Sequence, residues 1–146
     1  MNKRSNNLIA ALLISAQLLT GCALVGGYSS RSLEHVTSLK ALHEKIIDDN
    51  TQGSGKSYDP VRLAADTDEG EKKFREATEY AKALEDKLRT TNMDLLHDIY
   101  KDDTAYIKNK KRLLTVPEAK TLKDPTDFAY EQAIKGETVR KESRSE

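Results

Sequence analysis

The sequence predicts an all-α protein: an elongated helical hairpin, or an irregular three-helix arrangement, organised around one long helix. Three observations carry that prediction. Between Thr67 and Leu114 there is no proline and a single glycine, Gly70. Within that stretch Phe74, Ala77, Ala81, Leu84, Leu88, Thr91 and Leu95 recur at alternating spacings of three and four, the heptad pattern of a helix–helix seam. The chain is also poor in the residues that fill a sheet. It has no tryptophan, and from Cys22 onward only 24 of 125 residues are Leu, Ile, Val or Phe, enough to bury helix stripes but not a large globular core.

The N-terminus reads differently from the rest. Lys3 and Arg4 precede Leu8 to Leu19 (LIAALLISAQLL), an apolar run of 12 residues interrupted only by Ser15 and Gln17. Small residues then surround Cys22, the only cysteine. A basic start, a short apolar segment and small residues have the layout of a secretory signal, and the segment is too short to span a bilayer comfortably. A lone cysteine cannot close a disulfide within the chain.

Leu19-Thr20-Gly21-Cys22 resembles the lipobox of bacterial lipoproteins, a resemblance that covers about the first 23 residues. It implies cleavage before Cys22, so that residues 1–21 are a signal peptide. It also implies a diacylglyceryl thioether on Cys22 and a fatty chain, palmitate or similar, on the new amino group. Ala23 follows the cysteine where Asp would favour inner-membrane retention, which implies an outer-membrane anchor with the body facing the periplasm. In a Gram-positive source the same anchor would sit in the cell membrane. One fatty chain anchors only marginally, at about 0.8 kcal/mol per buried methylene, whereas two or three on one residue hold firmly without a membrane-spanning helix.

From Cys22 the elements follow in order. Residues 22–32 are rich in Gly and Ser and read as a lipidated flexible tether, and residues 33–136 as the helical domain. Leu33, Val36, Leu39, Leu42 or His43, and Ile46 are spaced for a first helix ending near Asp48. Asn50 to Ser57 reads as a flexible connection. Asp59-Pro60 opens a short helical turn, since proline at the first helical position loses no hydrogen bond. Asp66 and Glu69 are an acidic cap for the long helix, and Thr90-Thr91-Asn92 is the place where it would break, as three weak helix formers in a row. Val116-Pro117 ends that helix. Asp124-Pro125 opens a last one, running to Gly136 as a C-terminal cap. Residues 137–146 are charged and apolar-poor, and read as a disordered tail.

The expected packing places the first helix over the Phe74–Leu95 seam. The C-terminal segment folds back so that Phe128 and Ile134 cover Ile99, Tyr106 and Ile107. If it does not, Leu95, Ile99, Tyr106 and Ile107 form a stripe for a partner, with a second copy of the chain left open as that partner.

Charge and motifs exclude more than they identify. Removing Lys3 and Arg4 from the 24 basic residues leaves 22 against 24 acidic ones, which provides no electrostatic footprint for nucleic acid. Gly53-Ser54-Gly55-Lys56-Ser57 ends like a phosphate-binding loop, but the first glycine of that pattern is replaced by Asn50 and no strand precedes it. His35, His43 and His97 form no metal-ligand motif, and no cofactor site is legible. Glu69–Lys73, Glu71–Arg75 and Glu85–Arg89 are spaced for ion pairs along a helix, and no nucleophile–base pair stands out. Lys108, Lys110, Lys111 and Arg112 are the dense basic run. They complement a helix C-terminus or contact an anionic surface, either lipid, lipopolysaccharide phosphate or an acidic partner.

The sequence therefore leads to a non-enzymatic, lipid-anchored envelope protein that presents a helical surface to a protein partner in the periplasm, as an accessory of a secretion, conjugation or envelope-assembly apparatus. The alternative is an inhibitor, an immunity or exclusion lipoprotein that blocks an incoming toxin or DNA-transfer machine.

Overall fold

A computed structural model describes residues 26–142, and the expected signal segment 1–21, Cys22 and the last four residues lie outside the described residues. The described chain is all-α, with four helices: α1 Ser30–Asp49, α2 Pro60–Ala83, α3 Lys87–Lys110 and α4 Val116–Glu142. They alternate in direction. α1 packs on α2 and α4, α2 packs on α3, and α3 closes more sparsely on α4. The leading end of the bundle, where the chain comes in at Gly26, gathers the start of α1, the α2–α3 turn and the end of α4. The far end gathers the α1–α2 and α3–α4 loops.

The long helix does break, but seven residues before Thr91, and the break makes the fold. After Ala83 the chain turns through Leu84 and Glu85, the latter left-handed at φ 53°. Asp86 then caps α3, its carboxylate accepting the Arg89 N–H at 3.0 Å. The one long helix expected over Thr67–Leu114, about 70 Å if continuous, becomes two antiparallel helices of roughly 36 Å each. The heptad seam crosses the turn and so is not one stripe. Phe74, Ala77 and Ala81 are buried on α2. Leu84 is 39% exposed, because it sits in the turn. Thr91 is exposed within α3.

Asp59-Pro60 does cap a helix, but that helix is the whole of α2. The Asp59 carboxylate accepts from Val61 N and Arg62 N, so Asp66 and Glu69 lie inside a helix already under way. Val116-Pro117 starts a helix rather than ending one. Thr115 and Glu118 form a reciprocal cap: Glu118 Oε2 accepts from Thr115 N at 2.9 Å, and Thr115 Oγ1 accepts from Glu118 N at 3.3 Å. Pro117 then sits in the first turn, where its missing N–H costs nothing. Pro125 is interior to α4. It removes a backbone hydrogen bond, a cost of about 3 kcal/mol in an isolated helix, which the packing of α4 along α1 offsets. Gly136 does not stop the helix, which continues to Glu142.

The core is a set of stripes. α1 contributes Val36, Leu39, Ile46 and Ile47, and α3 contributes Met93, Leu96, Tyr100 and Ile107. α4 contributes small residues, Ala119, Ala129 and Ala133, with Leu122 and Tyr130. Gly70 lets Tyr100 of α3 lie close against α2. A Cβ there would overlap the Tyr100 hydroxyl, which donates across to Thr67 O at 2.9 Å. At the far end the two loops are stitched together: Gln52 N donates to Leu114 O and Leu114 N to Asn50 O, both at 2.8 Å.

The C-terminal segment folds back as expected, but on a different face. Phe128 is 42% exposed and Tyr130 fully buried. The register is set by the whole of α4, so position 130 points to the core and 128 to solvent. Tyr130→Ala should therefore cost about 3 kcal/mol or more, as truncating a buried aromatic does. Phe128→Ala should leave the melting temperature near that of the parent, and thermal unfolding of the two variants followed by circular dichroism checks the contrast.

Candidate functional site

Two buried polar clusters and one charged surface are the places where this bundle departs from plain helix packing. The first cluster lies at the leading end. Arg89 of α3 and Arg140 of α4 alternate with Asp86 and Glu137. Arg89 Nη1 donates to Asp86 Oδ2 at 3.1 Å, and Arg89 Nε and Nη2 fork onto the Glu137 carboxylate, each at 2.8 Å. Arg140 reaches Glu137 at 2.8 Å and Asp86 at 3.2 Å. All four residues are buried. Burial disfavours the Arg89 charge, but the Glu137 hydrogen bonds outweigh it and hold the guanidinium pKa above its ordinary value. The cluster also grips the incoming chain. Arg89 Nη2 donates to Gly27 O at 2.8 Å, a Cβ at Gly26 would run into Asp86, and the Ser29 hydroxyl shares a 2.9 Å hydrogen bond with Tyr80.

Residues 26–32 are therefore docked rather than free, and Ser30 to Ser32 already belong to α1. Glu137 and Arg140, expected in a disordered tail, are half of the cluster. The expected Glu85–Arg89 pair is replaced, because the turn at Glu85 carries that side chain outward and brings Asp86 in. Glu69–Lys73 is present at 3.8 Å, while Glu71 turns to His97 at 2.7 Å.

The second cluster is at the centre. His43 of α1 is fully buried, with Nε2 at 3.3 Å from Asp103 Oδ2. The Thr126 hydroxyl of α4 donates to the same Asp103 oxygen at 2.8 Å. Tyr100 and Tyr130 flank the imidazole edge-on, and burial drives the pKa of both phenols well above the ordinary value. The residue types resemble a catalytic triad, but the order is wrong. The hydroxyl bonds the carboxylate rather than the histidine, so it cannot be activated as a nucleophile. With His43 and Thr126 both at zero exposure, substrate has no access.

The charged surface is the far end. Of the basic run, Lys110 and Arg112 are committed to Glu118, at 2.7 and 2.9 Å. The Arg112 and Lys110 contacts and the Thr115 N–H hold the Glu118 carboxyl well below the usual carboxylate range. Lys108 and Lys111 are exposed at the end of α3, and Lys111 caps it in the left-handed region at φ 51°. The Gly53–Ser57 segment sits in the loop beside this end, with Lys56 paired to Asp49.

The expected partner stripe is not a stripe. Ile107 is wholly buried, and Leu95, Ile99 and Tyr106 are half-buried, Ile99 and Tyr106 packed against the core. The bare stripe is the alternative to a C-terminal segment that folds back, and these residues are at least half covered. His35 and His43 share α1 but not an environment: His35 lies against Tyr80 and His97 stacks on Phe74. Among the described residues no three His, Cys, Asp or Glu side chains are grouped to hold a metal ion. No described helix is long and apolar enough to cross a membrane. A narrow cleft in the leading end, lined by Ser32, His35, Tyr80, Arg89 and Glu137, has a volume of about 20 Å³, room for one water, and a wider, more open one beside it, bordered by Gly27, Arg31, Tyr80 and Leu84, has about 450 Å³. Compared with known proteins, the chain matches no family model, no curated protein and no solved structure.

Two outcomes follow from the ion pairs. Arg89→Ala leaves two buried carboxylates facing one arginine and should destabilise by about 3 kcal/mol or more, with faster amide exchange at residues 26–29. Denaturant unfolding with hydrogen exchange tests both. Glu118→Gln should lower the melting temperature at neutral pH. A carboxyl whose folded pKa is depressed stabilises above its unfolded pKa and loses that contribution as pH falls towards the folded one. The gap between Glu118→Gln and the parent should therefore close progressively below about pH 4.5, as a melting series down the pH scale reads directly.

Proposed function

We propose that this is a lipid-anchored envelope protein that works by binding a protein partner through its helical body, with no chemistry of its own. The observation that carries the reading is the order of the chain: a basic start, a short apolar run and Leu19-Thr20-Gly21-Cys22, then a helical bundle whose first described residues are clamped to it. The two buried clusters support the same reading, since Asp86 and Glu137 are taken up by Arg89 and Arg140 and the Thr126 hydroxyl is bonded to Asp103 rather than to His43. With Cys22 five residues before Gly27, the lipid attaches at the leading end, and the far end with Lys108 and Lys111 is carried about 30 Å away along α1. That orientation favours an acidic protein surface, rather than the anchoring membrane, as the far end's counterpart. Ala23 after the cysteine points to the outer membrane and a periplasm-facing body.

The experiment has two readings. Intact-mass spectrometry of membrane-extracted protein should show acyl chains on Cys22 and no residues 1–21, and Cys22→Ser should abolish both the lipid and membrane retention. Photo-crosslinking residues at Lys108, Lys111 and Leu95 in the anchored protein should yield one discrete adduct, strongest from Lys108 and Lys111. An unacylated mass, or no adduct from any of the three positions, overturns the reading.

A further inference from the structure

The leading end has a surface of its own. Its outer layer is made of Gly27 to Arg31, the turn Lys82 to Lys87, and Thr138 to Lys141. The acids at this end, Asp86 and Glu137, face inward and are neutralised by Arg89 and Arg140. What remains outside is basic: Arg31, Lys82, Lys87 and Lys141 are exposed, against Glu85 as the one exposed acid among the described side chains of these segments. Two aromatic rings are tucked under the cations, Tyr80 beneath Arg31 and Tyr28 beneath Lys141. The same segments also expose two apolar side chains, Leu84 at 39% and Val139 at 53%.

We propose that this end of the bundle rests on the anionic bilayer surface that holds the Cys22 lipid, with Leu84 and Val139 in the headgroup layer and Arg31, Lys82, Lys87 and Lys141 at lipid phosphates. The inference rests on the lipid-anchored reading. Its geometric ground is reach. Gly27 comes five residues after Cys22, a span of at most about 18 Å, and Arg89 fixes the Gly27 carbonyl to the bundle, so the tether cannot let the body swing away freely. Its chemical ground is complementarity. Basic side chains within a Debye length of an anionic leaflet are drawn to it, and amphipathic surfaces with apolar side chains among cations settle at the headgroup boundary.

The test uses the full lipidated protein, whose acylated Cys22 has no free thiol. Leu84→Cys, Val139→Cys and, at the far end, Val61→Cys are each labelled with an environment-sensitive dye. The proteins are reconstituted in vesicles of phosphatidylcholine with phosphatidylglycerol, and in phosphatidylcholine alone, with the acyl mass checked in each sample. In the anionic vesicles the dyes at 84 and 139 should shift to the blue and be quenched several-fold more by brominated lipid than the dye at 61. Adding Lys82→Glu, Lys87→Glu and Lys141→Glu together should return them to water while the acyl mass and the helical spectrum stay unchanged. Dyes at 84 and 139 as open to aqueous iodide as the dye at 61 would overturn the proposal, as would contact that ignores the lysine substitutions or the lipid charge. Protection seen in cell envelopes but not in vesicles would assign the surface to a protein instead, which also overturns it. A mass without acyl chains would remove the anchored reading and this one with it, whereas an acylated protein with water-exposed dyes removes this one alone.

Discussion

Asp86 is the residue on which the bundle turns. Its carboxylate caps α3 through the Arg89 N–H, and its two oxygens meet the guanidiniums of Arg89 and Arg140. One side chain therefore ends the α2–α3 turn, starts a helix and ties the last helix to the third. A carboxylate taken out of water needs such partners, because burying it alone costs far more than any helix cap returns. The cluster answers that need with two acids and two arginines in alternation. It works as a lock on geometry more than as a source of net stability, since breaking it is costly while its formation must offset four desolvations.

The central cluster uses the same rule at smaller scale. Asp103 is the buried carboxylate here: the Thr126 hydroxyl of α4 donates to it, and the His43 Nε2 of α1 lies 3.3 Å away, with neither His43 ring nitrogen hydrogen-bonded among the described residues. Two helices distant in sequence must arrive in one register for these contacts to form. Tyr100 and Gly70 add a second register mark between α2 and α3, since the ring passes where any side chain at position 70 would sit. A lightly packed bundle, short of large aliphatic residues, has few other means of choosing one arrangement of its helices.

The two ends of the bundle differ in a way that bears on function. At the leading end Asp86 and Glu137 are buried against Arg89 and Arg140, while Arg31, Lys82, Lys87 and Lys141 stay exposed beside Glu85. At the far end acids and cations are paired on the surface, as in Lys110 and Arg112 on Glu118 and Lys123 on Asp48, with Lys108 and Lys111 left exposed. A lipid on Cys22 would place the first of these against a bilayer and hold the second away from it. The polarity of the body and the position of the proposed anchor thus agree, although they arise from separate parts of the sequence.

By itself the sequence determined what local chemistry decides. Proline-free spacing made the chain helical, Asp59-Pro60 marked a helix start, and the residues around Cys22 bear the lipoprotein resemblance, because each signal lies within a few residues. Thr115-Val116-Pro117-Glu118 is a capping box of the same local kind, in which the proline belongs to the first turn of a helix rather than to the end of one. The tertiary structure decided what depends on distant partners. Nothing near Glu85 marks a break more strongly than Thr90-Thr91-Asn92 does, and the turn sits there because Asp86 finds Arg140 54 residues later. Likewise Glu137 and Arg140 look like tail residues until Arg89 is placed beside them. Phe128 and Tyr130 are two residues apart on one helix, and only the face that α1 and α3 cover determines which is core. A buried charge is legible only with its counter-charge, and here the counter-charges come from the opposite end of the chain.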